Sequence, residues 1–351
     1  MGPAVFVVPG ALDALTGGSI YDRRLVEGLR RRGRGIDVLE LRGCFPAPSH
    51  ADALAAERAF ADLPDGTATV VDGLVYGALP GIVEANRRRL RFAVIVHMPL
   101  GDEFGLDETT ARVRRDAEQR ALAAARTIVV TGRPTIATLA AMGITDDRVV
   151  LIEPGTDAAP IASGSSDGIV RFLCVAAVTP GKGHDVLLRA LARLREHAWT
   201  LTCVGSLTRD TKQAREIQTV ISREGLFDRV SFSGELSGEA LESSYACADV
   251  FVLATRRETY GMAVAEAIAH GLPVVSTRTG TIPALLSDES GLLVEPDNEE
   301  QLTAALSRVL SDPGLRERLA AGALRARARL SDWESAAEQM SQVLESMARD
   351  G

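Results

Sequence analysis

In the stretch RRETYGMAVAEAIAHGLPVV (256–275), Glu258 and Glu266 stand eight residues apart, with Gly261 between them where a helix should begin. Eight residues of helix advance the backbone by up to ~12 Å. Carboxyl pairs that cleave glycosides lie ~5 Å apart for retention and ~6.5–9.5 Å apart for inversion, so this spacing disfavours an acid/base pair. Two ends of one elongated ligand fit better, with an anionic middle at the helix start, where unpaired N–H groups and the positive end of the dipole gather. Ordinary helix polarity, with one Glu near the N-terminus and one solvated at mid-helix, accounts for the same spacing.

Three further places could do chemistry. In VAAVTPGKGHDVLLRAL (175–191) a strand runs through Pro180-Gly181-Lys182-Gly183 into a helix starting near His184. The glycines admit close backbone approach and Lys182 supplies a point charge. Only two of the 39 basic residues are lysines, so Lys182 is not filler in a chain whose default cation is Arg. In TGGSIYDRRLVEGL (16–29) the pair Gly17-Gly18 precedes the first helix. It could admit a phosphate or simply form a turn, and it is not the G-x-G-x-x-G of dinucleotide sites. His97 closes a strand, as a site residue or a structural hydrogen-bonder. The basic run DRRLVEGLRRRGR (22–34) is an Arg-rich solvated face or a contact for anionic lipid. There is no D-x-D, no HExxH and no His/Cys cluster at ligand spacing, so no metal is expected.

These residues need elements to hold them. Short β-branched runs alternate with amphipathic stretches, as in parallel sheets covered by helices. The strand candidates are 4–10, 36–43, 68–73, 92–98, 127–132 and 148–155, then 169–178, 199–206, 229–236, 249–255, 273–280 and 291–296. Residues 299–348 read as helices broken near Asp312-Pro313 and Ser331-Asp332. At 351 residues, two domains are expected. The expected boundaries are 1–158 for the first, completed by a C-terminal helix 332–351, with a linker 159–168 and 169–331 for the second. Ligands of such sheets bind beyond the carboxyl ends of the strands, and the cleft between the domains is the expected site. A net charge of −8 spread along the chain excludes a nucleic-acid domain. Four scattered cysteines read as reduced thiols of a cytoplasmic protein. The opening MGPAVFVVPGA reads as one strand without a leader's basic n-region, and no apolar run reaches the ~20 residues that span a bilayer.

The sequence resembles the family 4 retaining glycosyltransferases, through ETYGMAVAEA as their E-x7-E element, TGGS, VHMP, EPGTD, TPGKGHDVLLRAL, SFSGEL, HGLPVVSTRTGTIPALL, SGLLVEPDN and LSDWESAAEQM in order along most of the chain. The resemblance implies the GT-B fold, two Rossmann-like doubly wound α/β domains facing across a cleft. It implies that Glu266 holds the ribose hydroxyls of a nucleotide and Glu258 the donor-sugar hydroxyls. It further implies that the N–H groups of Gly261 and Met262 meet the distal phosphate or sugar, and that Lys182 neutralises the diphosphate. Gly17 and Gly18 would close over the phosphates, His97 would sit beside the transferring sugar, and the backbone up to Leu236 would line the base pocket. The family's Gly-Arg pair after the strand reads Ala176-Ala177 here, so Arg256 or Arg257 is expected to supply the missing charge. The family's G-x-P-E loop also loses its acid, at Ala284.

The expectation is therefore a metal-independent, retaining transferase without cofactor. Its donor would be a nucleotide-diphosphate sugar, UDP-sugar ahead of GDP-sugar, and its acceptor a small molecule, glycan or natural product. The alternatives are a GT-B epimerase or phosphorylase, or a donor-binding protein with little turnover. Membrane-surface contact enters only through the Arg run.

Overall fold

The computed structural model describes residues 4–286 and 289–349. The chain divides into two compact units, Met1–Gly155 with Ser331–Gly351, and Thr156–Leu330. Unit 1 holds β1 (Ala4–Pro9), β2 (Ile36–Leu41), β3 (Ala68–Asp72), β4 (Arg91–Val96), β5 (Thr127–Val130) and β6 (Val149–Leu151). Unit 2 holds β7 (Val170–Val175), β8 (Trp199–Val204), β9 (Val230–Gly234), β10 (Val250–Leu253), β11 (Val274–Thr277) and β12 (Gly291–Val294). Each expected strand forms, and most end two to four residues sooner than the apolar runs do. The residues after each strand's end leave the sheet to build loops.

Both sheets are parallel throughout, which requires helical crossovers and buries both faces. Val94, Val96, Ile128 and Val130 are fully buried in unit 1; Val250, Phe251, Val252 and Val274 are in unit 2. Strand order is β2-β1-β3-β4-β5-β6 in unit 1 and β12-β11-β10-β7-β8-β9 in unit 2. The order reverses between β1 and β3 in unit 1 and between β7 and β10 in unit 2. Crossover helices leave opposite faces at such a point, opening a crevice at the strands' carboxyl ends. Every chemical candidate singled out above, apart from Leu236 after β9, follows one of the strands at or next to these two points: Gly17 and Gly18 after β1, His97 after β4, Lys182 after β7, and Arg256 to Glu266 after β10.

Two parts of the fold add detail to the sequence reading. The Arg run belongs to the helix Gly17–Arg31 and the turn after it, and it faces the C-terminal helix Trp333–Arg349. Arg31 donates to Glu334, Arg34 pairs with Glu345, and the Arg24 guanidinium lies over the Trp333 ring at 5.2 Å. The run thus forms part of a seam within unit 1, while Arg30, Arg31 and Arg32 remain exposed, in line with the solvated-face reading. Within the expected linker, Ala162 N–H donates to His270 O, Ser163 N–H to Ala246 O, and Ser165 N–H to Asp249 Oδ1, all within unit 2. No helix among the described residues is long and apolar enough to cross a membrane.

The seam depends on Gly28. A Cβ there would lie 2.5 Å from Ala337 Cβ, so the two helices touch backbone to side chain. Gly28→Ala is expected to destabilise the protein by roughly 1–3 kcal/mol through overpacking, read in denaturant unfolding, and Ala337→Gly in the same chain to return part of that loss. A Gly28→Ala protein as stable as wild type would show that the helices do not pack this way.

Candidate functional site

In unit 2 the loop after β7 forms one 3₁₀ turn, Pro180–Lys182, and enters the helix His184–Ala192 through Gly183. Gly183 has φ +66°, and a Cβ there would lie 1.9 Å from Ala254 O. Only glycine lets this loop sit against the end of β10. The loop after β10 turns at Arg256–Tyr260, and the helix Met262–Ala269 begins after Gly261, at φ +98°. Gly280, on the loop after β11, supports this turn: its Cβ would fall 2.1 Å from Glu258 O, and Thr281 N–H donates to Thr259 O at 2.9 Å.

These constraints bring Lys182 and Glu258 together. Lys182 Nζ donates to Glu258 Oε2 at 2.7 Å, with the side chains 30% and 16% exposed. They form a charge pair across the point where the strand order reverses, open to solvent on one side. Such a pair can separate to meet an anion with its lysine and hydroxyls with its glutamate. Glu266 lies one turn into the helix and accepts from Tyr245 Oη at 2.7 Å. Burial raises the Glu266 carboxyl above its usual range, while the Tyr245 hydroxyl works in the other direction. Tyr245 is itself held by stacking on His270 at 4.6 Å. Leu236, after β9, is half-buried and packs on the unit 2 core.

Arg256 has a different position from the one expected of a phosphate ligand. Its guanidinium donates to both oxygens of Asp185 at 2.8 Å, to Asp297 and to Pro180 O, and its side chain is 10% exposed. Burial alone would raise Asp185, but Arg256 and then Arg189 hold its carboxyl below the usual range. Asp297 adopts φ 58° and accepts from Arg256. Arg256 therefore anchors the Lys182 loop to the end of β10. Arg257 is exposed. Ala176 and Ala177 bring no charge, and a Cβ on Gly205 would lie 2.2 Å from Ala176 O, so backbone fills that side.

In unit 1, Gly17 and Gly18 are the first residues of the helix that Thr16 caps by accepting from Ser19 N–H. A Cβ on Gly18 would lie 3.2 Å from His97 Cδ2, so two expected site residues are in fact neighbours. Two residues that the sequence did not single out complete the group. Asp22, four residues after Gly18 on the same helix face, places Oδ1 3.1 Å from His97 Nε2, and Asp72, at the end of β3, places Oδ2 3.4 Å from it. Burial pushes Asp22 up to about 7 against the pull of His97. Burial acts to neutralise His97, yet Asp22 and Asp72 raise it to about 10. The three ligand atoms lie within 4.8 Å of one another, a set that could hold a cation or share protons. A signal was present: Asp22 falls on the buried stripe with Leu25, Val26 and Leu29.

Residues 170–312 match the family described as Glycosyl transferases group 1. The chain is 31% identical over 225 residues to D-inositol 3-phosphate glycosyltransferase of Thermomonospora curvata, covering 57% of this chain and 52% of that one. It is 30% identical over 244 residues to the protein of the same name from Xylanimonas cellulosilytica, covering 64% and 58%. The matched part of the chain thus spans little more than half the length of these curated relatives. Among solved structures it resembles sucrose-phosphate synthase of Thermosynechococcus elongatus, with a TM-score of 0.83 at 21% identity over 100% of both chains. It also resembles Anabaena HepE in complex with UDP and glucose, with a TM-score of 0.76 at 16% identity over 98% of this chain and 100% of that one. The fold is two Rossmann-like units of the GT-B type.

Arg256→Ala should leave Asp185 and Asp297 without their shared donor and cost roughly 2–3 kcal/mol for the lost charged hydrogen bonds. Arg257→Ala, at an exposed position, should cost less. Equal, small effects of both would contradict the anchoring role of Arg256.

Proposed function

We propose that this chain, its second unit matching the group 1 glycosyl transferases and its fold that of GT-B enzymes, transfers a sugar from a nucleotide-diphosphate sugar to an acceptor hydroxyl with retention and without a metal. The observation that carries the reading is the Lys182–Glu258 pair at the reversal of strand order in unit 2, eight residues from Glu266 across a helix N-terminus. In this reading the nucleotide ribose meets Glu266, and the diphosphate takes Lys182 together with the N–H groups of Gly261 and Met262. The donor sugar takes Glu258. Gly17, Gly18 and His97 of unit 1 serve the phosphates and the reacting sugar, and the backbone near Leu236 serves the base.

UDP-sugar is the preferred donor in this proposal, ahead of GDP-sugar. The support is chemical likeness: the HepE complexes hold UDP or UDP-glucose. The inositol phosphate in the curated relatives' names suggests a polyol or glycan acceptor. The sequence offers charge stabilisation without an evident nucleophile–base pair. The reading therefore puts catalysis on charge stabilisation of the departing diphosphate, with same-face attack. We also place the protein in the cytoplasm, in keeping with four free cysteines.

A donor-binding protein without turnover is the second reading. Ala177 favours it, because the cation expected there is absent and Arg256 is engaged elsewhere. Incubating the protein with UDP-sugar and no acceptor separates the two: a transferase releases UDP slowly, and a binder does not.

UDP is expected to raise the melting temperature, since a ligand of the folded state stabilises it, and Glu266→Ala to weaken UDP binding at least tenfold in calorimetry. Transfer should persist in EDTA. Wild-type affinity in Glu266→Ala would overturn the assignment, and loss of activity in EDTA would overturn metal independence.

A further inference from the structure

The carboxylates around His97 do more than pack it. Asp72 is fixed from one side: its Oδ1 accepts from Leu74 N–H at 2.6 Å as the cap of the helix Gly73–Ala78, which leaves Oδ2 facing His97 Nε2. Asp22 approaches from the first helix and puts Oδ1 on the same nitrogen. Both carboxylates thus place an oxygen on this one nitrogen, an arrangement that a proton on Nε2 satisfies. The ring is one-fifth exposed, and Nδ1 makes no hydrogen bond among the described residues, so Nδ1 is the polar atom left for a ligand. The remaining titratable group against the ring is Tyr21, edge-on at 5.3 Å, and its hydroxyl is committed to Ile152 O.

Asp22 is the costly member of this group. It is fully buried and its Oδ2 has no hydrogen-bond partner, a state that lowers stability. An asparagine or leucine would fill the same space at less cost, so packing does not explain an acid there. Stability spent at a site of this kind is the usual signature of function.

The geometry points to Asp22 and Asp72 as positioning residues that hold His97 by Nε2 as an imidazolium and leave its Nδ1–H to donate to an oxygen of the substrate's sugar–phosphate group. This rests on the transferase reading above and deepens it: His97 is a fixed charged donor, not a base. A ring held between two carboxylates keeps its proton across the neutral range, in line with the raised value given above. Removing one carboxylate brings deprotonation down into that range, so activity should then fall as pH rises.

The test is side-chain NMR of the full chain without ligand, following its five histidines, with His97 assigned through His97→Gln. In wild type, His97 should stay doubly protonated from pH 6 to 9. In Asp22→Asn its midpoint should drop by at least one unit, with the melting temperature unchanged or higher. With UDP-sugar, Asp22→Asn should lose at least tenfold in kcat with the donor KM within threefold, and its pH profile should gain a falling limb above the new midpoint. Asp72→Asn, which keeps the helix cap, should lower the His97 midpoint in the same way and serves if Asp22→Asn does not fold. A neutral His97 in wild type at pH 7, an unchanged midpoint in the variants, or a His97 signal broadened by added Mn²⁺ with activity dependent on that ion would overturn the proposal. The titration is read with no donor present. A protein that transferred nothing would thus overturn the function proposed above and leave the His97 result to stand or fall by itself.

Discussion

Arg256 ties the loop after β7 to the loop after β10, and the candidate site of unit 2 depends on that tie. Its guanidinium fills the acceptors of Asp185, Asp297 and Pro180 at once, and its own N–H donates to Gly181 O. The two strands it joins are hydrogen-bonded neighbours in the sheet, yet far apart in sequence. Parallel pairing sends their crossover helices to opposite faces, which leaves the loops diverging unless something spans them. Arg256 spans them from beneath, Gly183 and Gly280 let backbone meet backbone, and Lys182 and Glu258 are left facing one another above.

Unit 1 solves the same problem with an aromatic and a carboxylate scaffold. Trp333 of the C-terminal helix meets Tyr21 at 5.9 Å, and Tyr21 meets His97 at 5.3 Å, both edge-on. The Arg–Glu seam and the close passage of Gly28 over Ala337 fix the helix that carries Gly18, Tyr21 and Asp22. A residue near the end of the chain therefore sets the orientation of a ring that follows β4.

Much of this was legible in the sequence, because β-branched runs and the glycines around Lys182 are local signals. The strand between 169 and 178 was read too long, since Ala176 to Val178 are apolar yet leave the sheet to pass Gly205. Lys182, Glu258 and Glu266 were singled out by type and spacing. Asp22 and Asp72 were not. One is masked by the arginines beside it and the other reads as an ordinary strand end, and only the fold brings both to His97 Nε2. The role of Arg256 was also out of reach, since its two acids lie 71 and 41 residues away in sequence. Local pattern gives a residue's element, but not which of several charges will be the partner.

The central claim is that a nucleotide diphosphate binds where the strand order of unit 2 reverses. Amide hydrogen exchange on the whole protein, with and without saturating UDP, tests it most directly. The account predicts slowed exchange confined chiefly to residues 180–184 and 258–266. Binding that left both segments unprotected, while protecting other parts of unit 2, would contradict it.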